Sequence, residues 1–183
     1  RGGGRVTVNA LAPDGEGSFD LNNFAAFQVR RLRAETLSDA LSLVTEAPED
    51  HPRLPSGVHA TQLADGADAG YFLRTFGRAP RRSVCACEVS DAPSLSQALH
   101  LVNGATVHEK VTRGPVVAAL IEAGLDDASA VDALYARTLC RAPLPDEREV
   151  LVAFLGAAVE ARRAALEDVF WALLTSNEFL FQR

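Results

Sequence analysis

The stretch RRAALEDVFWALLTS, residues 162–176, decides the fold. Its apolar residues Leu166, Val169, Phe170, Leu173 and Leu174 recur three and four positions apart. That spacing lays a wide apolar stripe along one side of an α-helix. The reading is a core helix over Arg162–Ser176, with Phe179, Leu180 and Phe181 anchoring the C-terminus behind it.

The same period recurs upstream. Pro145 and the acids Asp146, Glu147 and Glu149 suit the start of a helix over Asp146–Leu155, where the helix dipole favours negative charge. Val131, Leu134, Tyr135 and Thr138 mark another helix, with Asp127 or Ser129 as its cap. Cys140 continues that pattern and reads as a small buried thiol. Pro115–Ala123 carries Val116, Val117, Leu120 and Ile121 on one face, and Gly124 stops it. Thr106 to Glu109 and Ser94 to Gln97 are both spaced as capping boxes. The second of these opens a helix with Leu95, Ala98, Leu99 and Val102 on one face, closed by Gly104. Ala69–Phe76 is a short helix stopped by Gly77 and Pro80. Leu37, Ala40, Leu41 and Val44 define a helix over Ala34–Thr45, with Pro48 behind it. Pro48–Asp68 is a long irregular connection rich in Pro and Gly. The expected fold is all-α, an irregular bundle of about seven to eight short helices with a long Pro-rich loop. One short strand over Arg5–Leu11 would precede it. Residues 1–23 read as a linker or the end of a preceding domain, and 24–183 as one helical domain.

At 183 residues with 48% hydrophobic side chains, the chain can bury a sizeable core. A net charge of −6 argues against nucleic-acid binding, which needs a basic face. No run of 18 apolar residues exists, so no membrane span is expected. The sequence has no Met and reads as part of a longer polypeptide. The Gly-rich start lacks the Lys-Ser/Thr ending of a phosphate loop.

Chemistry concentrates in Phe72–Asn103, which holds Arg74, Arg78, Arg81, Arg82, Cys85, Cys87, Glu88 and His100. The four arginines suit a phosphate, sulfate or carboxylate through forked contacts; pairing with Asp65, Asp68 and Glu88 of the chain itself is the competing reading. Cys85 and Cys87 suit a redox pair, soft metal ligands with His100 and Glu88 or Cys140, or a local disulfide. Of these the local disulfide is favoured, and no metal is expected. Glu88 and His100 form a polar pair of interest; a His at a helix junction more commonly serves as a hydrogen-bonded structural group. His51, His59 and His108 fall in loop or surface contexts. Spacing ties together no Ser/His/Asp set and no paired carboxylates, so enzymatic activity stays open.

Several of these segments, in order, resemble one known family. They are Leu32–Glu35, Tyr71–Arg78, Cys85–Glu88, Gln97–Asn103 and Trp171–Phe181. Together they look like the PSD-one domain of planctomycete-type bacterial proteins, a domain of unknown function at the C-terminal end of large proteins. The resemblance runs from about Phe24 to Phe181. It implies an exported, multidomain protein, periplasmic or at the cell surface, that often also carries a c-type cytochrome domain. It implies no established activity. No Cys-x-x-Cys-His occurs, so this segment attaches no haem, and any haem would belong to another domain. The chain departs from the family at Ala86 and Val89, where charged residues commonly stand, and at Arg183, where a His does.

The leading functional expectation is a helical interaction or scaffold module, whose partners are other domains of the same polypeptide or a separate protein. The alternative is a redox or carbohydrate-active module working with a cytochrome domain and centred on Phe72–Asn103. In an exported protein, Cys85 and Cys87 are expected to be oxidised to each other, with Cys140 left as a buried thiol.

Overall fold

The computed structural model describes residues 30–51, 54–55, 57–64, 70–79, 94–103 and 105–182. The fold is all-α. In chain order the helices are α1 (Ala34–Thr45), α2 (Tyr71–Thr75), α3 (Leu95–Asn103), α4 (Ala105–Arg113) and α5 (Val116–Glu122). They are followed by α6 (Asp127–Leu139), α7 (Pro145–Ala157), α8 (Arg162–Leu174) and α9 (Asn177–Leu180). Among the described residues seven of these have seven residues or more, in line with the seven to eight expected. Two-residue strands β1 (Arg30–Arg31) and β2 (Phe181–Gln182) pair antiparallel, Arg30 with Gln182 and Arg31 with Phe181. The strand expected over Arg5–Leu11 lies outside the described residues.

The core is built around α8. It touches α4, α5, α6, α7 and α9. Ala165, Leu166, Val169, Phe170, Leu173 and Leu174 are all buried, as the stripe predicts. A second layer forms on α1, which packs against α2, α4 and a 3₁₀ turn at Ala60–Gln62. Leu37 and Leu41 of α1 are fully buried. Helix α4 touches both layers and joins them through Val107 and Val111, likewise fully buried. Behind α8, Phe179 and Leu180 are buried, and the Leu32 amide donates to the Leu180 carbonyl at 2.9 Å. The two ends of the described fold are thereby tied.

At the α1–α4 crossing the backbones nearly touch. A Cβ built on Gly114 would overlap the Thr45 carbonyl oxygen and lie 2.6 Å from the Lys110 carbonyl oxygen. Only a residue without a side chain fits there. The C-terminus of α1 has no basic residue of its own in its last turn. Remote cations supply what is missing: Arg137 Nε of α6 donates to the Val44 carbonyl at 2.6 Å, and the same guanidinium pairs with Glu46. Glu46 takes a left-handed conformation, φ 53, and ends the helix two residues before Pro48. The free carbonyls of a helix end favour such positive partners.

A second polar knot ties α6, α7 and α9. Arg141 makes forked contacts of 2.8–2.9 Å with both Glu147 and Glu178. Its guanidinium lies over the Tyr135 ring at 5.1 Å. Glu147 also accepts from the Leu144 amide at 2.7 Å, so it caps α7 from within the first turn. The Arg141 hydrogen bonds, followed by that backbone one, hold the Glu147 carboxyl down at about 2.

Four local expectations need correction. Cys140 is exposed: α6 stops at Leu139, and Cys140 takes the left-handed position beyond it at φ 54, where its side chain points off the helix. The cap of α6 is Asp126, whose carboxylate accepts from the Ser129 amide at 2.8 Å; the expected caps are Asp127, one residue on, or Ser129, three residues on. Thr106 sits inside α4, which begins at Ala105, and its hydroxyl faces His100. On α3 the Ser94–Gln97 capping box is present, yet Leu95 and Leu99 are exposed. Among the described side chains of that helix the buried one is Gln97, which donates to the Thr75 carbonyl at 3.1 Å.

Two substitutions test the core. Phe170→Ala is expected to lower stability by about 3–5 kcal/mol, because a fully buried ring leaves a cavity. Gly114→Ala is expected to cost about 1–3 kcal/mol through overpacking at the helix crossing. Urea unfolding of both variants checks this; an unchanged midpoint for Gly114→Ala would mean that α1 and α4 do not approach so closely.

Candidate functional site

The central stretch expected to carry chemistry is described only at its two ends. Arg81, Arg82, Cys85, Cys87 and Glu88 lie outside the described residues, and with them the Cys85–Cys87 bond and most of the arginine cluster. Arg74 is exposed on the last turn of α2. Arg78 is buried, with 6% exposure. Local backbone geometry puts it there. Gly77, at φ 85, closes α2, and the Arg78 amide donates back to the Leu73 carbonyl at 2.9 Å. The Arg78 guanidinium donates to the Leu63 carbonyl at 2.7 Å and stands 3.4 Å from the Glu35 carboxylate. It braces α1 and the 3₁₀ turn from inside, paired with Glu35; Asp65, Asp68 and Glu88, the acids expected beside the arginines, lie outside the described residues.

His100 sits half-buried in an aromatic setting. Its ring centroid is 5.4 Å from Tyr71, 5.6 Å from Phe72 and 5.9 Å from Phe76, with the two phenylalanines meeting it edge-on. Phe72 and Phe76, four apart on one face, stack at 4.4 Å. Arg31 covers the outer side of Phe76 at 5.3 Å and donates to its carbonyl at 2.8 Å. His100 Nε2 lies 3.0 Å from Thr106 Oγ1. Burial pushes the imidazole below its ordinary value, and the Glu49 charge only partly offsets this. The neutral ring that results is a packing and hydrogen-bonding group between α2, α3 and α4.

The sequence reading missed Lys110, the chain's one lysine. It is on the same face of α4 as Val107 and Val111, and its side chain is 9% exposed. Its ammonium donates to the Ala47 carbonyl at 2.7 Å and to Ser42 Oγ at 3.1 Å, with Glu49 at 3.9 Å. Burial lowers its pKa, and Glu49 opposes that shift. The i, i+3, i+4 spacing of Val107, Lys110 and Val111 was the available signal that this lysine points inward. Among the described residues no group of three or more His, Cys, Asp or Glu could hold a metal ion.

The other notable surface is apolar. Residues 150–159, VLVAFLGAAV, contain no polar side chain. Helix α7 buries Leu155, partly buries Leu151 and Val152, and leaves Val150 and Phe154 67% and 45% exposed. Val159, just beyond its end, is 75% exposed.

The profile of a family described as PSD1, protein of unknown function (DUF1553), matches residues 61–155, just over half the chain. The chain belongs to that family. The PSD1 match starts in the 3₁₀ turn and runs to Leu155 of α7. It takes in Arg78, His100 and Lys110, and ends before α8. No curated protein and no solved structure matches the chain significantly.

His100 sets a pH dependence. Its folded pKa lies below the ordinary 6.5, so the folded chain favours the neutral ring. The stability it contributes is complete above 6.5 and is lost as pH falls from there through the folded value. Urea unfolding at several pH values should show a fall in that window for the native sequence and a flatter profile for His100→Gln. Glu147, held near 2, adds its own loss only below its ordinary 4.5.

Proposed function

We propose that the chain is a helical interaction module that docks another domain, or a separate partner protein, on the outer face of α7. The observation that carries this is the run of ten residues without a polar side chain, 150–159, which covers the last eight residues of α7, a helix that buries one side only, and the two beyond it. A solvated helix places charge on its outer face; a second apolar face marks a surface that meets something else. The exposed Leu95 and Leu99 of α3 and Tyr71 of α2 add apolar surface elsewhere on the domain.

The setting that fits this reading is a large exported bacterial protein in which the domain sits beside others, a cytochrome domain among them. The resemblance to planctomycete-type proteins supports that setting. In it the helical domain is a structural partner, and electron transfer or other chemistry belongs to its neighbours.

Hydroxyl-radical footprinting of the complete gene product, beside the 183-residue chain alone, tests the docking. Phe154 and Val150 should be oxidised several-fold more slowly in the complete protein. Val150→Glu with Phe154→Glu should remove that protection and shift the stability of the isolated chain by no more than about 0.5 kcal/mol per site, as exposed substitutions do. Equal oxidation of Phe154 in both forms would refute docking through α7.

A further inference from the structure

A small cleft of about 100 Å³ opens between α1 and the chain that follows it. Ser38, Asp39, Ser42 and Leu43 of α1 form one wall, and Pro48, Glu49, His51, Gly57, Val58 and His59 form the other. Two carboxylates face it, and no Lys or Arg is among its described lining residues. Lys110 approaches Glu49 from within the fold at 3.9 Å, so the two acids are not fully offset. Asp39 is held in place by the 3₁₀ turn: it accepts from the Ala60 amide at 2.6 Å and from the Thr61 amide and hydroxyl at 3.1 and 2.8 Å. His59 Nδ1 stands 3.7 Å from it. Glu49 is steadied by Ser38 Oγ at 3.5 Å.

His51 is the unexplained member. It is 8% exposed and lines the cleft, yet its ring makes no hydrogen bond or ion pair among the described residues. Its ring nitrogens are not sealed from solvent, so water or a ligand can reach them. Here the open side of the ring is the cleft. Leu43, Pro48 and Val58 supply apolar surface beside it.

We infer that this cleft binds a small protonated amine, its alkyl part against Leu43, Pro48 and Val58 and its ammonium among Glu49, Asp39 and the His51 ring. An ammonium has three N–H donors and no acceptor, which suits carboxylates and an imidazole lone pair. An anion would meet two like charges. A neutral alcohol would gain the apolar contact without the charge. The volume admits a ligand of about five or six non-hydrogen atoms, for which a dissociation constant on the order of 1 mM is the expected scale.

The test is an NMR titration of the whole 183-residue chain with n-butylammonium, butyrate and butan-1-ol, read at the His51 ring resonance assigned by comparison with His51→Gln. Butylammonium should give a saturable shift, and butyrate none. Glu49→Gln should weaken binding about tenfold. Because Glu49 also contacts Lys110 and Ser38, that variant can lose its fold. Leu43→Ala, at a position 73% exposed on the rim, avoids this and should weaken butylammonium binding several-fold by removing part of the apolar wall. A His51 resonance that does not move, an equal response to butyrate or butan-1-ol, or unchanged binding in a folded Leu43→Ala variant would overturn the assignment.

Discussion

The fold depends on how the C-terminal end of α1 is held. A helix end presents carbonyls that its own turn cannot satisfy. Here the cations come from elsewhere in the chain, Arg137 of α6 to Val44 and Lys110 of α4 to Ala47. Gly114 lets α4 lie close enough for Lys110 to reach. The crossing links the α1 layer to the α8 layer and fixes where the chain after α1 runs. Glu49 and His51, and with them the cleft wall, are placed by that path.

Burying an ammonium is costly, and at neutral pH the desolvation of Lys110 works against folding. Three oxygen partners offset it. Removing any one partner leaves a charge or a carbonyl stranded, which costs more than the intact set contributes. The polar groups therefore specify one arrangement of α1 against α4, where the apolar contacts of Leu37, Leu41, Val107 and Val111 would tolerate sliding. The Arg141–Glu147–Glu178 knot plays a similar part at the other end, joining α6, α7 and α9.

Much of the fold was legible because burial leaves a period. Leu37 and Leu41 on α1, and Leu166, Val169, Phe170, Leu173 and Leu174 on α8, are one-sided stripes that reach the core. The period failed on α3, where Leu95 and Leu99 make an equally good stripe that faces water while Gln97 turns inward. A stripe reports a face; it does not say whether a protein core or another molecule covers it. Cys140 misled for a different reason, since a helix end is set by backbone conformation one residue either way. The site was harder to see. His100 stood out in sequence, but Lys110, Glu49, Asp39 and His51 come together only through the α1–α4 crossing. No local motif encodes contacts such as Lys110 to Ser42, 68 residues apart.

Native-state hydrogen exchange of Lys110→Met tests this account most directly. The substitution keeps bulk in the core and removes the donor to Ala47. If the end of α1 is held by its remote cations, amides from Leu43 to Glu49 should exchange at least about tenfold faster, a local loss near 1.4 kcal/mol. The amides in the middle of α8 should keep their protection. Unchanged exchange between Leu43 and Glu49 in a folded Lys110→Met chain would contradict it.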